Sequence, residues 1–144
     1  LESLPLLEFL PKGASFADIG TGAGLPSIPS LIARDDLRGF LIESKLKKAL
    51  FLHDVLANFN LENRARIINR QFEEIEKPAV SHILCRALDK FTKKLAKLIK
   101  WSGRSSLLFF GGNNLREELD KMKISYTQKL MPESEQRYLF FIKN

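Results

Sequence analysis

Apolar positions along this chain change their period several times, and the changes mark out alternating strands and helices. A short apolar run with strand character, Phe16-Ala17, ends at the acidic Asp18 and passes through Ile19 into three glycines at alternate positions, Gly20, Gly22 and Gly24. Pro26 and Pro29 sit where a helix begins, which predicts a helix from Pro26 to Arg34 that stops at Asp35-Asp36. Arg38 to Ile42 reads as a second strand that delivers Glu43 at its end. From Lys45 to Asn58 a helix is predicted, with Ala49, Leu52, Leu56 and Phe59 at helical spacing and lysines opposite. Arg64 to Asn69 is a third strand, and Gln71 to Glu76 a short turn or helix stopped by Pro78. Val80 to Cys85 is a fourth strand, apolar enough to be central. Asp89 caps a helix running to Lys100, whose core stripe is Phe91, Leu95 and Leu98, and Ser102-Gly103 ends it. Ser105 to Phe110 is a fifth strand before the Gly111-Gly112 turn, and Leu115 to Met122 is helical. Two late strands, near Ile124 to Leu130 and Arg137 to Ile142, follow without a helix between them, joined by Pro132-Glu133-Ser134-Glu135.

Alternating βα units followed by a terminal hairpin predict an α/β fold: a doubly wound, mainly parallel, seven-stranded sheet with a C-terminal antiparallel hairpin. There are no internal repeats, low-complexity tracts or linkers, so residues 1–144 read as one domain. Because Leu1 opens the chain in mid-pattern and without Met, an N-terminal segment is expected to be missing. Composition is that of an ordinary globular protein, 44% hydrophobic and 28% charged, with no apolar run near membrane-spanning length. The single cysteine, Cys85, excludes an internal disulfide and is compatible with a reducing cytoplasm, the expected location. A net charge of +6 favours a polyanionic partner.

The glycine run has the marks of a cofactor loop in the first βα unit of an open sheet. A dinucleotide fingerprint wants a third glycine where Leu25 stands, and no Lys-Ser/Thr pair follows to cradle phosphate. The acidic Asp18 ahead of the glycines suits a cationic amino group better than a pyrophosphate. That combination resembles motif I of the Rossmann-like class I S-adenosylmethionine-dependent methyltransferases. Glu43, at the end of the next strand, is placed to accept both ribose hydroxyls of a nucleoside, and Phe72 and Glu73 to line the adenine pocket. Arg86 follows the central strand and is the candidate for orienting the cofactor or for contacting phosphate or guanine. Cys85 reads as core rather than nucleophile.

His53 and His82 are isolated and mark neither a metal site nor a triad, so no metal is expected and no catalytic base or nucleophile is assigned. Lys90, Lys93, Lys94 and Lys97 recur at spacings that make one cationic helix face, and Lys45, Lys47 and Lys48 form a second basic cluster beside the loop. Either face suits RNA phosphates.

With these residues in place, the chain resembles the GidB family, methyltransferase G of the small ribosomal subunit. The resemblance runs from Leu1 to Leu7 and Leu10-Pro11-Lys12-Gly13 through Asp18-Ile19-Gly20-Thr21-Gly22-Ala23-Gly24-Leu25-Pro26 and Ile28-Pro29. It continues in Leu41-Ile42-Glu43-Ser44, Phe51-Leu52, Leu61-Glu62-Asn63, Cys85-Arg86-Ala87 and Arg137-Tyr138-Leu139-Phe140. The resemblance implies methyl transfer from S-adenosylmethionine to N7 of a guanine in small-subunit ribosomal RNA. It implies cofactor contacts from Gly20, Leu25, Phe72, Glu73 and Arg86, alongside Asp18, Gly22, Gly24, Glu43 and Ser44 of the motif. Three positions depart from the family pattern: Ser27 for glycine, Gln71 for arginine, and Phe110-Gly111-Gly112 without a lysine. Guanine N7 carries a lone pair and no proton, so its methylation needs no general base, in keeping with the residues. The alternatives are a methyltransferase acting on another RNA or a small molecule, and a non-catalytic RNA-binding module.

Overall fold

A computed structural model describes residues 3–86, 92–132 and 134–144. Its elements in chain order are α1 (Ser3–Glu8), β1 (Ser15–Ile19), α2 (Ser27–Ala33), β2 (Arg38–Ile42), α3 (Leu46–Asn58), β3 (Ala65–Ile68), β4 (His82–Cys85), α4 (Leu95–Ser102), β5 (Ser106–Gly111), α5 (Asn113–Lys121), β6 (Thr127–Leu130) and β7 (Tyr138–Ile142). Short 3-10 turns stand at Phe72–Glu74 and Thr92–Lys94.

The sheet has seven strands in the order β3-β2-β1-β4-β5-β7-β6. The pairs among β1 to β5 are parallel, and β7 lies antiparallel to both β5 and β6, so it alone runs against the others. The chain lays β1, β2 and β3 outward in one direction, then crosses back to place β4 on the other side of β1. That reversal leaves a crevice outside the carboxyl ends of β1 and β4, the place where open α/β sheets bind ligands.

Strand side chains alternate between two faces. Phe16, Leu41, Leu84, Leu108 and Leu139 pack with Leu6, Leu31 and Leu52 from α1, α2 and α3. Ala17, Ile19, Ile83, Cys85, Phe109 and Phe140 pack with Leu95 and Leu98 of α4 and Leu115 and Leu119 of α5. Gly39 in β2 lets the Phe16 ring lie against the backbone, since a Cβ there would stand 2.6 Å from Phe16 Cζ. At the far end of the sheet from the crevice, Arg64 donates to the carbonyls of Leu31, Arg34 and Leu37 and so satisfies the exit of α2. Arg34 in turn donates to the carbonyls of Leu7 and Leu10 and pairs with Asp36, which fastens α1 to the sheet.

The elements follow the sequence reading with four differences. The helix α1 is six residues long with Pro5 within it, too short for its sequence to show a helical period. The last helix starts at Asn113, directly after Gly112, and ends one residue before Met122. The first hairpin strand begins only at Thr127, because Ile124 N–H still bonds back to Leu119 and Lys123 takes a φ of 57°. The lysine-bearing helix starts at Leu95 rather than running from Asp89, so Lys93 and Lys94 sit on the preceding 3-10 turn and not on one continuous helical face with Lys97. Asp89, Lys90, Phe91 and Glu133 lie outside the described residues.

Candidate functional site

The loop after β1 is built by backbone bonds that keep its direction changing. Gly20 and Thr21 N–H both donate to the carbonyl of Ile42, Gly24 N–H to Thr21, and Ile28 N–H to Gly24. Gly20, Gly22 and Gly24 all take left-handed φ values, 64°, 61° and 84°. At Gly24 the demand is double, because a Cβ there would stand 2.5 Å from Ile28 Cδ1 and 3.0 Å from Leu52 Cδ2.

Glu43, buried at the end of β2, ties this loop to the next helix. Its Oε1 accepts from Gly22 N–H at 2.9 Å and its Oε2 from Lys45 N–H at 2.9 Å, just ahead of α3. Asn69, one residue past β3, donates its side-chain N–H to the Glu43 carbonyl at 2.8 Å. An ionised carboxylate accepts about four hydrogen bonds, so each oxygen of Glu43 retains capacity for a hydroxyl donor.

The crevice beside Glu43 has an apolar floor and a charged rim. Ile19, Gly20, Ile42 and Ser44 line it from the ends of β1 and β2, Phe72 and Cys85 from the turn after β3 and the end of β4, and Leu98 from α4. The Phe72 ring is set edge-on to Trp101 at 5.5 Å, and Trp101 Nε1 donates to the Ile75 carbonyl at 2.9 Å. Arg70, Gln71, Glu73 and Lys94 complete the lining. Lys94 Nζ lies 2.9 Å from Glu73 Oε2. Partial burial alone would raise the Glu73 pKa, but Lys94 and Lys97 outweigh it and hold the carboxyl below its ordinary value.

Of the residues expected from the sequence, Gly20, Ser44, Phe72 and Glu73 face the crevice directly. Gly22 and Gly24 shape the loop from behind, and Glu43 braces it. Leu25 stays half exposed at the tip. Arg86, at the end of β4, acts electrostatically on Asp18. Asp18 does not line the crevice; it is buried under the loop, where the Ser27 hydroxyl donates to it. Burial pushes its pKa up from 3.8 to about 7, against the pull of the Ser27 and Thr21 hydroxyls and of Arg86. The Thr21 hydroxyl is buried beside it, under the same loop. The sequence places Lys94 on an RNA-facing helix and Cys85 and Leu98 in the core, offers Arg70 only as a stand-in for the arginine that Gln71 replaces, and does not single out Ile19 or Ile42. Their common signal is position: most stand within two residues of a strand's carboxyl end.

Two groups that resemble catalytic side chains are not available as nucleophile or base. Burial pushes the Cys85 thiol far above its ordinary pKa, so it stays protonated. His82 begins β4, at the opposite end of the strand from the crevice, with its Nδ1 2.7 Å from Ser81 Oγ. Among the described residues, no cluster of His, Cys, Asp or Glu is arranged to hold a metal ion, and no helix is long and apolar enough to cross a membrane.

The Asp18 carboxyl has a measurable consequence. The native state holds a proton there that the unfolded chain has lost, so stability falls as pH rises from about 4 through about 7, by up to roughly 4 kcal/mol. Asp18→Asn is expected to remove that slope. His82, whose pKa burial lowers, tilts stability the other way but does so in both proteins. Urea midpoints of the two proteins at pH 5 and pH 8 should therefore converge toward low pH, with the variant gaining relative to wild type at pH 8.

Comparison with known proteins agrees with the geometry. The model of the GidB family, rRNA small subunit methyltransferase G, matches residues 1–139. A ribosomal RNA small subunit methyltransferase G from Aliarcobacter butzleri is 38% identical over 142 residues, covering 97% of this chain and 72% of that protein. The protein of the same name from Xanthomonas euvesicatoria is 36% identical over 131 residues, 88% of this chain and 60% of its own length. Among solved structures, an S-adenosylmethionine-dependent methyltransferase from Aquifex aeolicus superposes with a TM-score of 0.74 over 97% of this chain and 88% of its own, at 14% identity, a likeness of fold.

Proposed function

The chain belongs to the GidB family, rRNA small subunit methyltransferase G, and from that premise we propose that it binds S-adenosylmethionine in the crevice beside Glu43 and methylates N7 of a guanine in small-subunit ribosomal RNA. The observation that carries the reading is the braced glycine loop: family membership spans it, and its shape fits an amino acid joined to a nucleoside. The cofactor set is Asp18, Gly20, Gly22, Gly24, Leu25, Glu43, Ser44, Phe72, Glu73 and Arg86, and residues 1–144 form one methyltransferase domain.

The fit can be argued part by part. Glu43 presents spare acceptor capacity to ribose hydroxyls while Gly22 and Lys45 N–H hold it in place. Phe72, fixed by Trp101, and Leu98 offer flat apolar surface to a purine. The Thr21 hydroxyl and the buried Asp18 provide polar groups and a latent negative charge under the loop, suited to a zwitterionic amino-acid end. Ser44, exposed at the rim, is within the same arc.

S-adenosylmethionine supplies an electrophilic methyl group when bound. The protein's contribution is then orientation and charge placement rather than proton transfer. The acceptor nitrogen needs no deprotonation, which accords with the Cys85 thiol staying protonated and His82 standing at the wrong end of β4. Holding the acceptor in line is worth up to about 7–11 kcal/mol in favourable cases, and preorganised dipoles of the loop add to it.

For the polyanionic substrate, Lys45, Lys47 and Lys48 stand exposed beside the loop, and Lys93 and Lys97 stand exposed beyond the rim. Lys94 reaches Glu73 inside the crevice mouth, and Lys90 belongs to the same basic set by sequence. A bacterial enzyme of this kind works in the cytoplasm, on the RNA or on the assembling particle. Incubation with undermethylated small subunits, followed by chemical cleavage at N7-methylguanine, is expected to show one new modified guanine. A methylated free nucleoside with unmodified ribosomal RNA would reject the assigned substrate.

A further inference from the structure

Arg116 is a half-buried cation that, among the described residues, meets an aromatic ring but no ion-pair partner. It lies in α5, one turn after Gly112, and its guanidinium carbon stands 4.4 Å from the centroid of the Tyr138 ring. Its Nε is buried with no hydrogen-bond acceptor, and among the described residues no carboxylate or carbonyl accepts from its side chain. The contrast within the chain is sharp: Arg64, similarly half-buried, donates to three carbonyls, and Arg34 is taken up by Asp36 and three carbonyls. A buried donor left unmatched costs stability, and such a group calls for an acceptor from outside.

Its position says which acceptor. Tyr138 pairs with Gly111, the last residue of β5, so Arg116 stands at the carboxyl edge of the sheet, the same edge as the crevice. Phe109 is level with Cys85 across β4 and β5, which puts Gly111 two residues farther out than the crevice floor. Tyr138 packs on the sheet face that also carries Phe72, Cys85 and Leu98. From β4 to β7 is two strand spacings, about 10 Å. A ligand spanning from the crevice to Arg116 along this edge would run past the ends of β4 and β5.

Resting on the function proposed above, we infer that Arg116, held over Tyr138, anchors a backbone phosphate of the RNA strand whose guanine is presented to the crevice. The ring fixes the cation while leaving it unneutralised, and a planar guanidinium fork matches phosphate oxygens in pairs. Arg116 contacts substrate backbone in this account and does not touch the cofactor.

The test is a fluorescence-anisotropy titration of undermethylated small-subunit ribosomal RNA at several salt concentrations, run beside a calorimetric titration with S-adenosylmethionine. Loss of one phosphate contact lowers the slope of log K against log salt by about 0.7–0.9. Arg116→Ala and the bulkier neutral Arg116→Gln are expected to show that drop and several-fold weaker RNA binding, with cofactor affinity at the wild-type value. Arg116→Lys should restore the slope. A wild-type slope in either neutral variant overturns the anchor, as does a drop that Arg116→Lys fails to restore. Absence of cofactor binding in the wild-type protein would instead defeat the function on which the anchor rests.

Discussion

Glu43→Ala is expected to weaken S-adenosylmethionine binding by on the order of 10- to 100-fold, the cost of removing hydrogen bonds to a charged acceptor at a buried position. The effect has two physical parts. The variant loses the acceptor offered to ribose, and it also leaves Gly22 and Lys45 N–H without the carboxylate that holds the loop against the start of α3. Glu43→Gln separates them. An amide retains one acceptor oxygen, but its NH2 group then faces one of two backbone donors, so the loop loosens even though the side chain keeps its size. Calorimetry is expected to rank affinity as wild type, then Gln, then Ala. Thermal unfolding of the cofactor-free proteins should fall in the same order, because the brace exists without ligand. Unchanged affinity in Glu43→Ala would remove this residue from the site.

Gly24→Ala is expected to destabilise the fold by roughly 2–4 kcal/mol, from left-handed strain and overpacking together. At φ 84° a side chain is strained whatever the space, and here the added methyl also meets Ile28 and Leu52. Gly22→Ala is the control: its φ is 61°, but its nearest neighbour is the Gly20 carbonyl at 3.9 Å, so only the strain applies. Urea unfolding should therefore show a loss for Gly24→Ala clearly larger than for Gly22→Ala. Equal losses would mean that Ile28 and Leu52 move aside without cost.

The fold was legible from the sequence because its strands alternate cleanly. Phe16 and Leu41 on one face, with Ala17 and Ile42 on the other, follow the period of two that the apolar runs display. The glycine loop and Glu43 were legible because positive φ and a strand-end carboxylate leave residue-type signatures. What escaped the sequence depends on tertiary partners. The helix α1 is held by Arg34, a residue more than twenty positions away, and has no periodic signal of its own. The late start of β6 depends on Lys123 adopting a left-handed conformation with no glycine or asparagine to announce it. The lysine stripe reads as one cationic helix face because its spacing is helical, yet a 3-10 turn carries Lys94 to Glu73 at the crevice mouth. The sequence places Asp18 at the end of the first strand, ahead of the glycines; what it does not show is that burial sets the carboxyl under the loop and pushes its pKa up to about 7.

In the proposed function, the loop, Glu43 and Phe72 together form a preassembled receptor for an amino acid joined to a nucleoside. Calorimetric titration of the wild-type protein with S-adenosylmethionine tests it most directly. The account predicts saturable binding to one site, abolished or strongly weakened by Glu43→Ala and left at full strength by Arg116→Ala. No heat on titration, with the protein folded, would contradict it.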